Sequence, residues 1–165
     1  AFQALLVRPS VIIAPEMPNQ SVYQLLRSIR AGRFFFIGAP GAYLHYIHVH
    51  DVIRALHLAG THLLPNRQVF NLSNCSRIED IAAWASEAFR LSGSFHRLPE
   101  LPIKIVAQML RPIPGFPLTP ARVNALTDRS FYSVEAIRSE LGYRHQRPIR
   151  EAIIEMCQIL VGELR

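Results

Sequence analysis

Three histidines and an aspartate crowd the stretch Leu44-His45-Tyr46-Ile47-His48-Val49-His50-Asp51. His48 and His50 are two positions apart and would share one face of a strand, as paired metal ligands do. No cysteine or carboxylate spacing offers a third ligand, so structural histidines are the plainer reading and no metal site is expected. Asp51 stands where a helix N-cap belongs, its carboxylate able to accept the free N–H groups of a first turn. That makes it a structural group and not an acid or base. Cys75 and Cys157 lie far apart in no metal-type spacing and read as two free thiols. Of the 18 basic residues, 17 are arginine and only Lys104 is lysine. The planar guanidinium suits diphosphate groups, so a phosphorylated substrate is compatible with this bias. The arginines are scattered singly, however, which argues against a nucleic-acid surface, whose signature would be a basic stripe and steep salt dependence.

The elements that must position these groups can be read from periodicity. Leu44 to Val49 is a short run of β-branched and aromatic residues, which suits a strand. Val52, Ala55, Leu56 and Ala59 follow at helical spacing, and Gly60 is a plausible stop. Upstream, Ala4 to Arg8 and Val11 to Ile13 are continuous apolar runs of the kind found in parallel sheets covered on both faces. Val22, Leu25, Leu26 and Ile29 define a helix ending at Gly32, and Phe34 to Ile37 a strand more suited to core than to a substrate platform. Pro65-Asn66 turns the chain into a strand at Gln68 to Leu72. Ser76-Arg77-Ile78-Glu79 has the capping-box pattern and opens a helix to about Leu91. Six prolines between Pro99 and Pro120 break the next section, leaving a helix from Ile103 to Leu110. Thr119-Pro120 starts another. Ser133 caps a short helix ending at Leu141-Gly142. Pro148 starts a last one with Ile149, Ala152, Ile153, Met156, Ile159 and Leu160 inward.

At 165 residues and 50% hydrophobic content the chain fits one domain with an ample core. No apolar run is long enough to cross a bilayer, and no partner membrane is expected. The first residues carry no basic stretch followed by an apolar one and a cleavage site, so a cytoplasmic protein with reduced thiols is the expectation. A parallel strand at Ala4 to Arg8 needs neighbours that nothing before it supplies. The chain is therefore expected to be the later part of a longer protein.

Taken in order, these segments resemble the second half of the extended short-chain dehydrogenases, the NAD(P)-dependent epimerases and dehydratases and the 3β-hydroxysteroid-dehydrogenase-like enzymes. The resemblance is carried by Val7-Arg8-Pro9-Ser10-Val11-Ile12-Ile13-Ala14-Pro15, by Ala31-Gly32-Arg33 and Ile37-Gly38, by Tyr46-Ile47-His48-Val49-His50-Asp51-Val52, and by Ser133 through Glu140-Leu141-Gly142-Tyr143. It covers essentially all 165 residues. It implies an α/β fold: the last strands of a Rossmann-type parallel sheet plus a mainly helical substrate-binding lobe, residues 1–165 being that C-terminal substrate-binding portion.

The resemblance also implies a role. Pro9, Ser10, Val11 and Ile12 would line the nicotinamide of NAD or NADP, largely through backbone groups. Asn19, His45 and Arg122 are the substrate-binding candidates for a sugar nucleotide or another hydroxyl or keto compound. The family's glycine-rich phosphate turn and its tyrosine–lysine pair have no counterpart here, so no catalytic residue is assigned and cofactor binding by this piece alone should be weak or nil. Where sugar-nucleotide enzymes place an asparagine and an arginine, this chain has Val11 and Leu44, which moves weight toward a related reductase with a less polar substrate. The implied partners are the small-molecule substrate, the upstream half of the parent chain and a second copy in a homo-oligomer. The alternatives are a non-catalytic ligand-binding member of the same fold and a basic nucleic-acid-binding module.

Overall fold

The computed structural model describes residues 4–17, 20–61, 68–112 and 118–162. Asn19, the Pro65-Asn66 turn, Pro114 and Pro117 lie outside them. The chain forms two compact units: Ala1–Asn19, His45–Ser76 and Phe131–Arg165 make the first, Gln20–Leu44 and Arg77–Ser130 the second. The class is the expected one, helices with short parallel strands.

In the first unit β1 (Leu6–Pro9) runs parallel to β5 (Val69–Leu72), with Leu6 opposite Val69, Val7 opposite Phe70, Arg8 opposite Asn71 and Pro9 opposite Leu72. Side chains alternate across such a pair. Val7, Phe70 and Leu72 therefore join the core with Ile47, Val52, Ala55, Ile137, Leu141 and Tyr143, while Leu6, Arg8, Val69 and Asn71 are exposed. The Ser10 N–H still donates to the Leu72 carbonyl at 2.9 Å. Beyond it the chain changes partner: β2 (Val11–Ile13) pairs in parallel with β4 (Tyr43–His48), Val11 opposite Tyr46. Pairing β2 with β4, which joins β6 (Asn74–Arg77), makes a second small sheet. The one-residue break at Ser10 thus divides a nearly continuous extended stretch between two sheets.

The helix α2 (Val49–Thr61) follows β4 directly, as the sequence pattern predicts, but its start is built differently. Asp51 lies inside the first turn and does not cap it. The His48 ring does that work, its Nδ1 accepting the His50 N–H at 3.2 Å. The Asp51 carboxylate, 1% exposed, instead accepts the N–H groups of Gln146 (3.0 Å) and Arg147 (3.3 Å). These donors immediately precede the last helix, α7 (Ile149–Gly162). The buried face of α2 is also rotated from the predicted one: Val52, Ala55, Leu58 and Ala59 pack inward, whereas Leu56 is 55% exposed. Gly60 lies within the helix rather than ending it. On α7, Cys157 is buried and Ile159 is turned out, because inclusion of Met156 and Leu160 leaves room on that stripe for 157 and not 159. Burial pushes the Cys157 thiol up to about 12, so it behaves as a small apolar group. The short helix α6 (Glu135–Leu141) ends at Gly142 in the left-handed region, as expected, but its N-cap is Val134 and not Ser133, whose Oγ accepts the Glu135 N–H at 3.3 Å from one position further out.

The second unit packs α1 (Gln20–Arg30) on α3 (Ile78–Phe89), burying Val22, Leu26 and Ile29 on one and Ile78, Ile81, Ala82 and Ala85 on the other. A two-residue parallel pair, β3 (Phe36–Ile37) and β7 (Arg97–Leu98), lies beside α4 (Glu100–Met109) and α5 (Pro120–Thr127). Ile37, Ala107 and Val123 form its second small core, and Phe34, Phe36 and Phe95 meet edge to face. Thr119 caps α5 with proline at the first helical position, as expected. The expected capping box at α3 does not form: Arg77 is the N-cap and no side chain closes it. Glu79 Oε1 instead receives the Arg97 guanidinium at 2.7 Å and the Gly41 N–H at 3.3 Å. An arginine and a backbone donor from other segments outcompete the local bond. Burial would raise the Glu79 carboxyl, but these donors outweigh it and hold it below the usual range.

Two outcomes follow for the first unit. Asp51→Ala leaves two N–H groups without their charged acceptor and should cost about 3 kcal/mol in urea unfolding, since hydrogen bonds to a charge contribute roughly 1.5–3 kcal/mol each; Asp51→Asn, keeping one acceptor, should lose about half of that. His48 and His145 both titrate below the ordinary histidine value, burial being the main cause in each. The folded state therefore stays neutral where the unfolded chain already binds protons. Stability is complete above about pH 6.5, the unfolded value, and falls as the pH drops from there toward the folded values. Melting temperatures between pH 8 and 5 should show this loss, and His48→Gln with His145→Gln should flatten it.

Candidate functional site

Alternation along the β1–β5 pair puts the polar residues on one face. Arg8 and Asn71 are direct neighbours across the ladder. One period further on, Ser10 and Ser73 stand where the two strands end. A cavity of 190 Å³ opens there, lined by Arg8, Pro9, Ser10, Asn71, Ser73 and Tyr132. In open parallel sheets ligands bind outside the carboxyl ends of the strands, and this cavity has that location. Ser73 is 5% exposed. Its Oγ, the Ser10 Oγ and both ring nitrogens of His45 are buried and have no hydrogen-bond partner among the described residues. His45 precedes the Tyr46–Val11 pair by one step, as Ser10 does on the other strand. Its ring lies 4.3 Å from that of Tyr132, tilted by 43°. Buried polar atoms are nearly always satisfied. Four of the five unsatisfied side-chain atoms among the described residues belong to these three side chains.

Of the sequence candidates, Pro9 and Ser10 therefore line a cavity, and His45 stacks on one of its walls. Val11 and Ile12 lie in β2, Val11 half exposed and Ile12 opposite Ile47. Arg122 belongs to the second unit, where its N–H meets Thr119 Oγ1 and its guanidinium bonds Gln24. Asn19 lies outside the described residues. Arg8, Asn71, Ser73 and Tyr132 were not singled out from the sequence. Arg8, Asn71 and Ser73 share a sequence signal, the repeated pattern Arg-x-Ser and Asn-x-Ser at the ends of two predicted strands, whereas Tyr132 carries none. His48 and His50 do not form a strand pair, since His50 is already in α2; their rings lie 4.9 Å apart. Among the described residues no three His, Cys, Asp or Glu side chains converge as a metal site, and no helix is long and apolar enough to cross a membrane.

A larger depression of 610 Å³ in the second unit is lined by Glu100, Lys104, Asn124, Asp128, Arg129 and Ser130. Its cations share one carboxylate, and Asp128 Oδ1 accepts the Ser130 N–H at 2.8 Å. Lys104 lies 2.7 Å and Arg129 4.0 Å from the Glu100 carboxylate, which the Lys104 bond keeps below its usual range. Glu100 also packs on Gly38, where a Cβ would come within 2.6 Å of Oε2. This arrangement is a satisfied surface network, unlike the strand-end cavity.

No protein-family model matches the chain, and no curated protein matches it in sequence. Solved structures do. The crystal structure of gox2253 superposes with a TM-score of 0.67 at 20% identity, over 97% of this chain and 49% of that one. UDP-glucose 4-epimerase from Thermotoga maritima, solved with UDP-glucose, gives 0.59 at 16% over 96% and 46%. Human epimerase family protein SDR39U1 with NADPH gives 0.63 at 16% over 94% and 48%. The chain thus spans about half the length of the structures it matches. At these identities the likeness shows the fold: an α/β arrangement shared with Rossmann-like epimerase structures.

A serine that serves only structure is missed when removed, whereas an unsatisfied buried hydroxyl costs stability that a binding site tolerates. The double substitution Ser10→Ala with Ser73→Ala should therefore raise stability in ligand-free protein by about 1–2 kcal/mol, read as an increased urea midpoint. A decreased midpoint would mean that the two hydroxyls are satisfied in solution.

Proposed function

We propose that this chain is the C-terminal, substrate-facing portion of an NAD(P)-dependent epimerase, dehydratase or related reductase acting on a small hydroxyl or keto compound. The observation that carries this reading is the β1–β5 pair. Parallel sheets occur with both faces covered and with several strands. Here, among the described residues, two strands stand alone, with Leu6 51% and Val69 42% exposed. A longer sheet and a covering element explain these exposed positions, and the half-length match to larger chains supports the same reading.

The residues at hand fit the nicotinamide end of the cofactor. Pro9 to Ile12 combines apolar side chains with the ladder break at Ser10, offering an apolar wall with backbone groups at its edge. NAD(P), when bound, supplies the hydride acceptor or donor. This chain's residues shape that wall, exclude water through Val11 and Ile12, and hold the substrate from the strand-end side. Tyr46 is not a proton-transfer group: its hydroxyl is deeply buried, and burial pushes its titration far above the physiological range. The proton-transfer pair, in this reading, comes from the part of the parent that precedes β1.

The experiment is to assay the complete parent protein for substrate-dependent oxidation or reduction of NAD(P) across sugar nucleotides and apolar ketones. Turnover is expected with the parent, and binding no tighter than millimolar with residues 1–165 alone. Micromolar NAD(P) affinity of the isolated chain by calorimetry would overturn the division of labour. A parent that binds NAD(P) without any turnover would favour the non-catalytic reading.

A further inference from the structure

The strand-end cavity has a chemistry of its own. Its polar lining consists of a guanidinium (Arg8), two serine hydroxyls (Ser10, Ser73), an amide (Asn71) and a phenol (Tyr132), without a carboxylate. Every one of these groups can donate hydrogen bonds. Among the described residues Arg8 has no acidic partner, in contrast to Lys104, Arg97 and Arg129, each of which meets a glutamate. The strand register fixes the arrangement: Arg8 and Asn71 abut across the ladder, and Ser10 and Ser73, just past the strand ends, line the same cavity. A serine hydroxyl turns between staggered rotamers at little cost, so both can swing toward an occupant.

We propose that this cavity binds a compact oxyanion, the phosphate or carboxylate group of a small-molecule ligand, held by Arg8 together with Ser10, Ser73 and Asn71. Phosphate and carboxylate share the geometry that a guanidinium fork recognises. The unsatisfied Ser10 and Ser73 hydroxyls become donors to the anion, which removes the cost of burying them. The volume, 190 Å³, exceeds that of a bare ion and leaves room for the carbon skeleton that carries it. Tyr132 provides a flat wall for that skeleton, and His45 stacks against the same ring. The site goes beyond the hydride-transfer reading and does not depend on it: the anion is gripped by the side chains of Arg8 and Asn71 on β1 and β5 and of the two serines just past them, whereas the cofactor wall, which shares Ser10, is mostly backbone.

The test is calorimetric titration of the 165-residue chain with inorganic phosphate, glycerol phosphate and acetate, each against sodium chloride of equal ionic strength. Saturable binding of at least one probe above the chloride control is expected. Arg8→Gln should weaken it at least tenfold and Ser73→Ala about fivefold, with both variants retaining the parental circular-dichroism spectrum. Arg8→Lys, which keeps the charge but not the fork, should retain part of the affinity. Tighter binding of glycerol phosphate than of inorganic phosphate would identify an ester as the source, and preference for acetate a carboxylate. Binding equal to the chloride control for all three probes, or binding that survives Arg8→Gln in full, would overturn the proposal. Failure of NAD(P) turnover in the parent would leave these outcomes unchanged, so the two readings fail separately.

Discussion

The first unit depends on one buried carboxylate. Asp51 sits in the opening turn of α2 and holds backbone donors 95 and 96 positions away, at the entrance to α7. A charged acceptor makes such bonds roughly twice as strong as neutral ones. The same segment carries Tyr143, whose buried ring belongs to the core and whose hydroxyl lies 2.9 Å from His145 Nδ1. The His145 ring also lies beside the Ser73 backbone, which favours its charged form. A chain of contacts therefore runs from Asp51 through the 145–147 segment to the end of β5, where the strand-end cavity begins. Loop-closure entropy grows slowly with length, so joining distant segments costs little more than joining near ones. What such a clasp needs is a carboxylate with no local competitor. His48, by taking the first-turn N–H of α2, leaves Asp51 free for it.

Much of this architecture is written in local patterns. The apolar periods of α1, α3 and α7, the proline start of α5, the glycine after α6 and the strand-then-helix junction at His48–Val49 all reflect forces acting within a few residues. The failures share one cause. Asp51 and Glu79 carry cap-like spacing, but each found stronger donors from far along the chain, which no local window contains. The inward face of α2 departs from its periodicity at Leu56 because two apolar faces compete there, and tertiary packing selects Val52, Ala55 and Leu58. Of the site, Pro9, Ser10 and His45 were visible and Arg8, Asn71, Ser73 and Tyr132 were not. Neighbourhood across a parallel ladder is set by register, and register between strands sixty residues apart is not a local property.

The unsatisfied atoms also bear on stability. Four buried polar atoms without protein partners, at about 1–3 kcal/mol each, represent a cost comparable with the whole stability of a small domain, about 5–15 kcal/mol. A fold does not retain such a cluster without relief. Water can give part of it, but the pairing of hydroxyls with a guanidinium that has no acidic partner among the described residues favours an anion over water, since charge-assisted bonds satisfy donors more strongly. The Tyr132 ring, tilted against that of His45, covers part of this cluster, so that whatever fills the cavity meets its donors in a weakened dielectric.

The two positions where the family resemblance leads one to expect polar ligands show why the fold does not settle the substrate. Leu44 is 6% exposed, so a guanidinium there would have to be desolvated and would need an anion beside it. Val11 is 44% exposed and presents an apolar edge. A ligand handled by a chain with these two residues cannot rely on them for its charge. Arg8, which lines the strand-end cavity beside Asn71, offers that charge from a different element, with donors already arranged by the β1–β5 register. The same backbone thus supports recognition of an anion from the strand ends instead of from β4.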